Sequence, residues 1–134
     1  MQAFLKPAVG AAIFTVFGFN VLSVQAASCE ALSTLTLPNA SITLAESVAA
    51  GGFVPDAPPR GNVNPYADLP AFCRVAATLT PSADSDIKIE VWLPTNNWNR
   101  KLLGVGNGGW TGSIATAALA ESISRGYAAA STDT

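Results

Sequence analysis

The sequence predicts an α/β fold in which antiparallel strands lead into a βαβ unit. Three observations carry that expectation. Ile87, Ile89, Val91 and Leu93 alternate with Lys88, Glu90 and Trp92, the period of two that marks a strand with one buried and one wetter face. The turn cluster Pro81-Ser82-Ala83-Asp84-Ser85 separates this run from Phe72 to Thr80, so the two form a β-hairpin. Further on come a short apolar run, a glycine cluster, a segment of helical period and a second apolar run. Strand, turn, helix and strand make a parallel pair with a right-handed crossover.

Residues 1–26 read as a signal peptide. Lys6 is the sole charge before Glu30, Ala8 to Val24 is apolar, and Val24-Gln25-Ala26 supplies the small residues of a cleavage site. A membrane anchor is the competing reading, but a run of about 17 residues is at the short edge of what spans a bilayer. Cleavage after Ala26 leaves residues 27–134 as one domain or part of one. The expected location is secreted or periplasmic. Removing Lys6 takes the net charge from −2 to −3. With no basic block, nucleic acid is a poor partner, and no membrane association is expected after cleavage.

Cys29 and Cys73 are the two cysteines of the chain. In an oxidising compartment a disulfide is the natural pairing; two free thiols or a metal pair are the alternatives. Closing a loop of about 45 residues would contribute roughly 3–4 kcal/mol in a chain-entropy account. There is no histidine among the 134 residues. That excludes a Ser-His-Asp triad within them and removes the commonest metal ligand.

Cys29 to Leu37 reads as a short helix or turn with Ser28 as its cap, ended by Pro38. Ser41 to Val48 reads as a strand. Asn39-Ala40-Ser41 matches the glycosylation pattern and is taken as chance. Gly51 to Leu69 is so rich in glycine and proline that a loop is expected, of a length that is usually pinned or functional. Pro94 to Arg100 is a turn, in which Trp98 is expected to cap the edge of the core. Lys101 to Val105 is a buried strand, Ile114 to Arg125 a helix with Gly126 at its C-terminal stop, and Tyr127 to Ser131 another buried strand.

The stretch from Gly104 to Gly112 has three readings. Gly104, Gly106 and Gly109 satisfy G-x-G-x-x-G, and Asp133 lies at the end of the next strand, where an acidic residue would meet a ribose hydroxyl. This points to a nucleotide-binding oxidoreductase. In the second reading the loop is part of an oxyanion hole. Acyl transfer needs preorganised backbone N–H donors, and a glycine-rich loop after a strand supplies them in α/β-hydrolases. Gly108 and Gly109 are the candidate donors, and Trp110 would wall an aromatic acyl pocket. The third is a tight turn needing glycine for positive φ. A small exported binding module, complete in itself, stands as a further alternative for the whole chain.

A resemblance favours the second reading. Cys29-Glu30-Ala31-Leu32, Asp68-Leu69-Pro70-Ala71-Phe72-Cys73-Arg74-Val75, Asp84 to Pro94 with Trp98-Asn99, Gly106-Asn107-Gly108-Gly109-Trp110, Arg125-Gly126-Tyr127-Ala128 and Ser131 to Thr134 occur in consistent order. Together they resemble the start of the tannase and feruloyl esterase family. The resemblance implies that residues 27–134 are the N-terminal portion of an α/β-hydrolase catalytic domain, incomplete as they stand. It implies a serine nucleophile with aspartate and histidine partners, a disulfide flanking serine and histidine, a calcium site in an inserted lid, and small aromatic esters as substrates. None of the triad, lid or calcium positions lies in these residues, so no cofactor is expected within them. The resemblance carries over the Gly108/Gly109 loop and the Cys29–Cys73 bridge. It also implies that the 134 residues alone are inactive.

Overall fold

The computed structural model describes residues 27–56, 64–109 and 112–134. The expected signal peptide and Trp110 lie outside them. A 3₁₀ turn, Glu30–Thr34, is followed by β1 (Ala40–Val48), β2 (Phe72–Leu79), β3 (Ile87–Pro94), β4 (Leu102–Val105), α1 (Thr116–Ser124) and β5 (Ala128–Thr132). The five strands form one sheet in the order β1-β2-β3-β5-β4. β1, β2 and β3 form an antiparallel meander, β5 runs antiparallel to β3, and β4 runs parallel to β5. The hairpin and the βαβ unit are both where the sequence places them, but β4, expected to be a buried strand, is exposed from Leu102 to Gly104.

Ser28, expected to cap the first turn, accepts the Ala31 N–H through its hydroxyl at 3.2 Å. The Glu30 carboxylate reaches back to the sheet and accepts the Ser47 N–H at 3.1 Å. Cys29 and Cys73 are joined as a disulfide with their Cα atoms 5.6 Å apart, tying the turn to the first residues of β2.

The helix is positioned by both its ends. At its C-terminus Gly126 has φ +76°. Gly126 N–H donates to the Ile123 carbonyl at 2.8 Å and Tyr127 N–H to the Ser122 carbonyl at 3.0 Å, the paired bonds of a Schellman stop. A Cβ there would lie 2.7 Å from the Asn97 carbonyl oxygen, so close approach as well as φ demands glycine.

The core lies on one face of the sheet, where α1 packs on β5, β3 and β4. Trp92 is fully buried, with Phe72 stacked on it at 4.4 Å between centroids and Phe53 tilted against it at 4.7 Å. Leu119 and Ile123 close the core from the helix side, each worth about 1.5–3 kcal/mol of transfer free energy.

This inverts the expected polarity of β3. Trp92 and Glu90 are buried, whereas Ile87, Ile89, Val91 and Leu93 are only half-buried. The helix and Phe53, Tyr66 and Leu69 settle on the tryptophan face. Glu90 tolerates burial because Arg74 grips it with two donors, Nε at 3.0 Å and Nη2 at 2.6 Å, while Trp92 Nε1 donates at 2.7 Å. The Arg74 guanidinium in turn lies 5.3 Å over the Phe53 ring. Trp98 is a second correction: it is 55% exposed, outside the core, with Nε1 donating to the Lys101 carbonyl at 3.2 Å.

The Gly/Pro-rich stretch contributes more than a connection. Phe53, Tyr66 and Leu69 are all buried, and Gly51 N–H donates to the Leu69 carbonyl at 2.9 Å.

Candidate active site

The parallel register Leu102↔Ala128 through Val105↔Ser131 puts the C-terminal ends of β4 and β5 side by side. Open α/β sheets bind ligands outside the carboxyl ends of their strands. The glycine loop leaves β4 at that edge.

Gly108 and Gly109 have φ values of +73° and +84°, the left-handed region that glycine occupies without strain. Both are exposed, and a Cβ on either would meet nothing within 4 Å. Glycine is thus required here by backbone conformation rather than by space. Their N–H groups are the backbone donors at this edge that the sequence reading selects. Trp110, the expected pocket wall, lies outside the described residues. The loop resumes at Gly112, φ +56°, beside the chain just past β5, where a Cβ would make an ordinary 3.6 Å contact with the Asp133 carbonyl oxygen.

Among the described residues, hydrogen bonds tie down both ends of the loop and the start of α1. Asn107 Nδ2 donates to the Thr134 carbonyl at 3.1 Å. The Ala115 N–H donates to Ser131 Oγ at 3.0 Å, and Ser131 is 2% exposed. The Tyr66 and Thr116 hydroxyls meet at 3.0 Å, joining the first turn of α1 to the Gly/Pro-rich stretch. None of these contacts is visible in a motif, because the β4–β5 register and the folding of a distant loop create them.

The same geometry argues against the nucleotide reading. Gly104 lies inside β4 rather than in a turn, and α1 starts only at Thr116. Among the described residues after Gly109, no helix N-terminus precedes Thr116 to receive a pyrophosphate. Asp133 is engaged on β3: its Oδ1 accepts the Lys88 N–H at 2.9 Å and its own N–H donates to the Lys88 carbonyl at 3.1 Å.

Among the described residues the arrangement brings together no nucleophile–base pair. The Ser122 and Ser124 hydroxyls donate to helix carbonyls one turn back, at 2.7 and 3.0 Å, and the sequence holds no histidine. Among the described residues no group of three or more His, Cys, Asp or Glu side chains converges to hold a metal. These residues do not supply the donor set of a calcium site, which the resemblance puts in the inserted lid.

Residues 73–134 match the family model described as tannase and feruloyl esterase. The chain is 42% identical over 107 residues to an uncharacterised esterase of Xanthomonas campestris pv. campestris, covering 80% of this chain and 18% of the relative. It is 35% identical over 103 residues to feruloyl esterase C of Talaromyces stipitatus, covering 75% and 19%. The crystal structure of feruloyl esterase B from Aspergillus oryzae superposes with a TM-score of 0.65 at 30% identity, over 78% of this chain and 20% of that one. The chain thus spans about a fifth of the length of these relatives.

Proposed function

The chain belongs, through residues 73–134, to the tannase and feruloyl esterase family, and on that premise we propose that the whole protein is an exported carboxylic ester hydrolase acting on phenolic acid esters such as feruloyl or galloyl esters. The observation that carries the proposal is the Gly108/Gly109 turn at the carboxyl edge of β4, in a chain whose relatives bear the names esterase and feruloyl esterase. The antiparallel meander followed by a βαβ unit supports reading residues 27–134 as the N-terminal portion of an α/β-hydrolase domain.

In this proposal a serine outside these residues attacks the ester carbonyl. Histidine takes its proton and then delivers it to the leaving alcohol, and water releases the acid in a second, matching step. The Gly108 and Gly109 N–H groups hold the negative oxygen of the tetrahedral intermediate, where a single donor is worth about 2.7–4 kcal/mol. Since the 134 residues contain no histidine, they supply the oxyanion donors and part of the core, but no turnover by themselves. Calcium, if the whole protein carries it, is held by residues beyond those described. The Cys29–Cys73 disulfide is compatible with export.

The test is hydrolysis of methyl ferulate and methyl gallate by the whole protein, followed by chromatography of the released acid, beside residues 27–134 produced alone. Turnover by the whole protein and none by the piece is the expected result. Absence of hydrolysis of any aromatic ester by the whole protein, or an active-site-titratable burst from the piece, overturns the proposal.

A further inference from the structure

Asparagine is a thermolabile side chain, and it is least durable when glycine follows, because no Cβ crowds the next backbone nitrogen. That pair occurs once in the chain, at Asn107-Gly108. Both residues are described, and they lie outside any strand or helix, between β4 and α1. Gly108 is exposed at φ +73°, so water and hydroxide reach its nitrogen. Among the described residues nothing accepts a hydrogen bond from the Gly108 N–H. Asn107 is half-buried and its Nδ2 donates to the Thr134 carbonyl at 3.1 Å, a bond that water can replace at modest cost. The other exposed asparagines among the described residues differ. Asn39, Asn96, Asn97 and Asn99 precede residues that carry a Cβ, and Asn64 precedes Pro65, which has no N–H.

We infer that Asn107-Gly108 is a self-modification site, where the asparagine amide is lost to give aspartate and isoaspartate. Hydroxide removes the Gly108 N–H proton, and the nitrogen attacks Asn107 Cγ. The new N–Cγ bond closes a cyclic imide as the Cγ–Nδ2 bond breaks, and Nδ2 leaves as ammonia with a proton from water. Water then opens the imide. Addition at Cγ restores the normal backbone with an aspartate side chain, and addition at the Asn107 backbone carbonyl routes the backbone through Cγ as isoaspartate. The sum is amide plus water to carboxylate plus ammonium, with nothing oxidised or reduced. This covalent step is independent of the esterase reading; its effect on turnover rests on that reading. In the imide the Gly108 nitrogen carries no hydrogen, so a proposed oxyanion donor is gone. After opening, a carboxylate stands beside the place where the negative oxygen would form, and like charges repel. Isoaspartate further lengthens the backbone by one methylene next to Gly108.

The experiment ages the whole, folded protein in buffer at neutral and at mildly alkaline pH. Trypsin cuts after Lys101 and Arg125, and in the peptide from Leu102 to Arg125 Asn107 is the sole asparagine and there is no glutamine. A change from amide to carboxyl mass in that peptide therefore reports on Asn107, and labelling by an isoaspartyl methyltransferase reports the isoaspartate share. The expected result is ammonia release and amide loss that are faster at the higher pH and reach Asn107 well before Asn96, Asn97 and Asn99. Asn107→Gln, whose extra methylene disfavours the ring, keeps its amide over the same period. In the unaltered protein kcat on methyl ferulate falls in proportion to the modified fraction, towards a loss of about 10²–10³-fold.

Amide loss at Asn107 no faster than at Asn96, Asn97 and Asn99, or present in urea-unfolded chains and absent from folded ones, overturns the inference. Amide loss at Asn107 with kcat intact supports the modification and overturns the oxyanion role of Gly108 alone. A whole protein that hydrolyses no aromatic ester removes the esterase reading, while the peptide masses still decide the modification.

Discussion

Arg74 occupies a position that a purely apolar core would leave to leucine. Its fork closes on Glu90, its plane lies over Phe53, and a longer contact at 3.6 Å reaches Glu46 on β1. Its hydrogen bonds to the Glu90 carboxylate raise the Arg74 pKa above its ordinary value, so the guanidinium stays charged throughout the working range. Breaking a buried pair by removing one partner leaves an uncompensated charge, whereas replacing both by apolar groups of similar volume is often neutral. Glu90→Gln is therefore expected to lower stability by about 3–5 kcal/mol in denaturant unfolding, and Arg74→Met combined with Glu90→Leu by much less. Equal losses from the single and double variants would contradict this account. Glu30 offers a milder effect with a definite sign. Its own backbone N–H first, and Ser47 second, hold its carboxyl below the ordinary 4.5. A depressed pKa contributes stability above the unfolded value and loses it as pH falls through the folded one. The expected outcome is a carboxyl titration by NMR with its midpoint under 4.5, and uncoupling of the 3₁₀ turn from β1 only below that midpoint.

At the scale of elements, the stop of α1 makes the sharpest prediction. Gly126 combines φ +76° with a carbonyl 2.7 Å from its missing Cβ. Gly126→Ala should destabilise by about 1–3 kcal/mol, seen as a lower unfolding midpoint together with faster amide exchange at Tyr127. That glycine was legible from the sequence, as were the hairpin, the helix and both strands around the glycine loop, since periodicity and breakers act locally. The buried face of β3 was not. Alternation reveals that two faces differ, but which one is covered depends on where a crossover helix and a distant loop land, and both settle over Trp92. Phe53, Tyr66 and Leu69 escape for a related reason: they sit among glycines and prolines that carry no period, and their burial exists only once β2 and β3 are assembled. The candidate site divides in the same way. Gly108 and Gly109 are visible as a motif, whereas the grip of Ser131 on Ala115 depends on the parallel register.

At the scale of the whole molecule, the described residues cover the sheet on one side. On the other side Leu79, Ile89, Gly104, Ala130 and Thr132 line an open depression, and Leu102 at the outer strand is 67% exposed. Contiguous exposed apolar surface and a free strand edge both favour association. Residues 27–134 produced alone are expected to enhance the fluorescence of 8-anilinonaphthalene-1-sulfonate and to self-associate in sedimentation. Ile89→Lys with Val91→Lys should suppress both; a soluble, dye-silent monomer from the unaltered segment would refute the expectation. The strand order has one more consequence, and it concerns time. β5 lies between β3 and β4, although it is the last of the three to be synthesised. At about 5–20 residues per second, β4 precedes the start of β5 by roughly 1–5 s. Throughout that interval the hairpin partners β2 and β3 can already be joined, while the strand bearing the glycine loop has no neighbour among these elements. A nascent chain halted within α1 would thus protect β2 and β3 from proteolysis and leave Leu102–Val105 open to cleavage. The β4–β5 edge that carries the glycine loop would take shape only when Ala128–Thr132 slides into the gap.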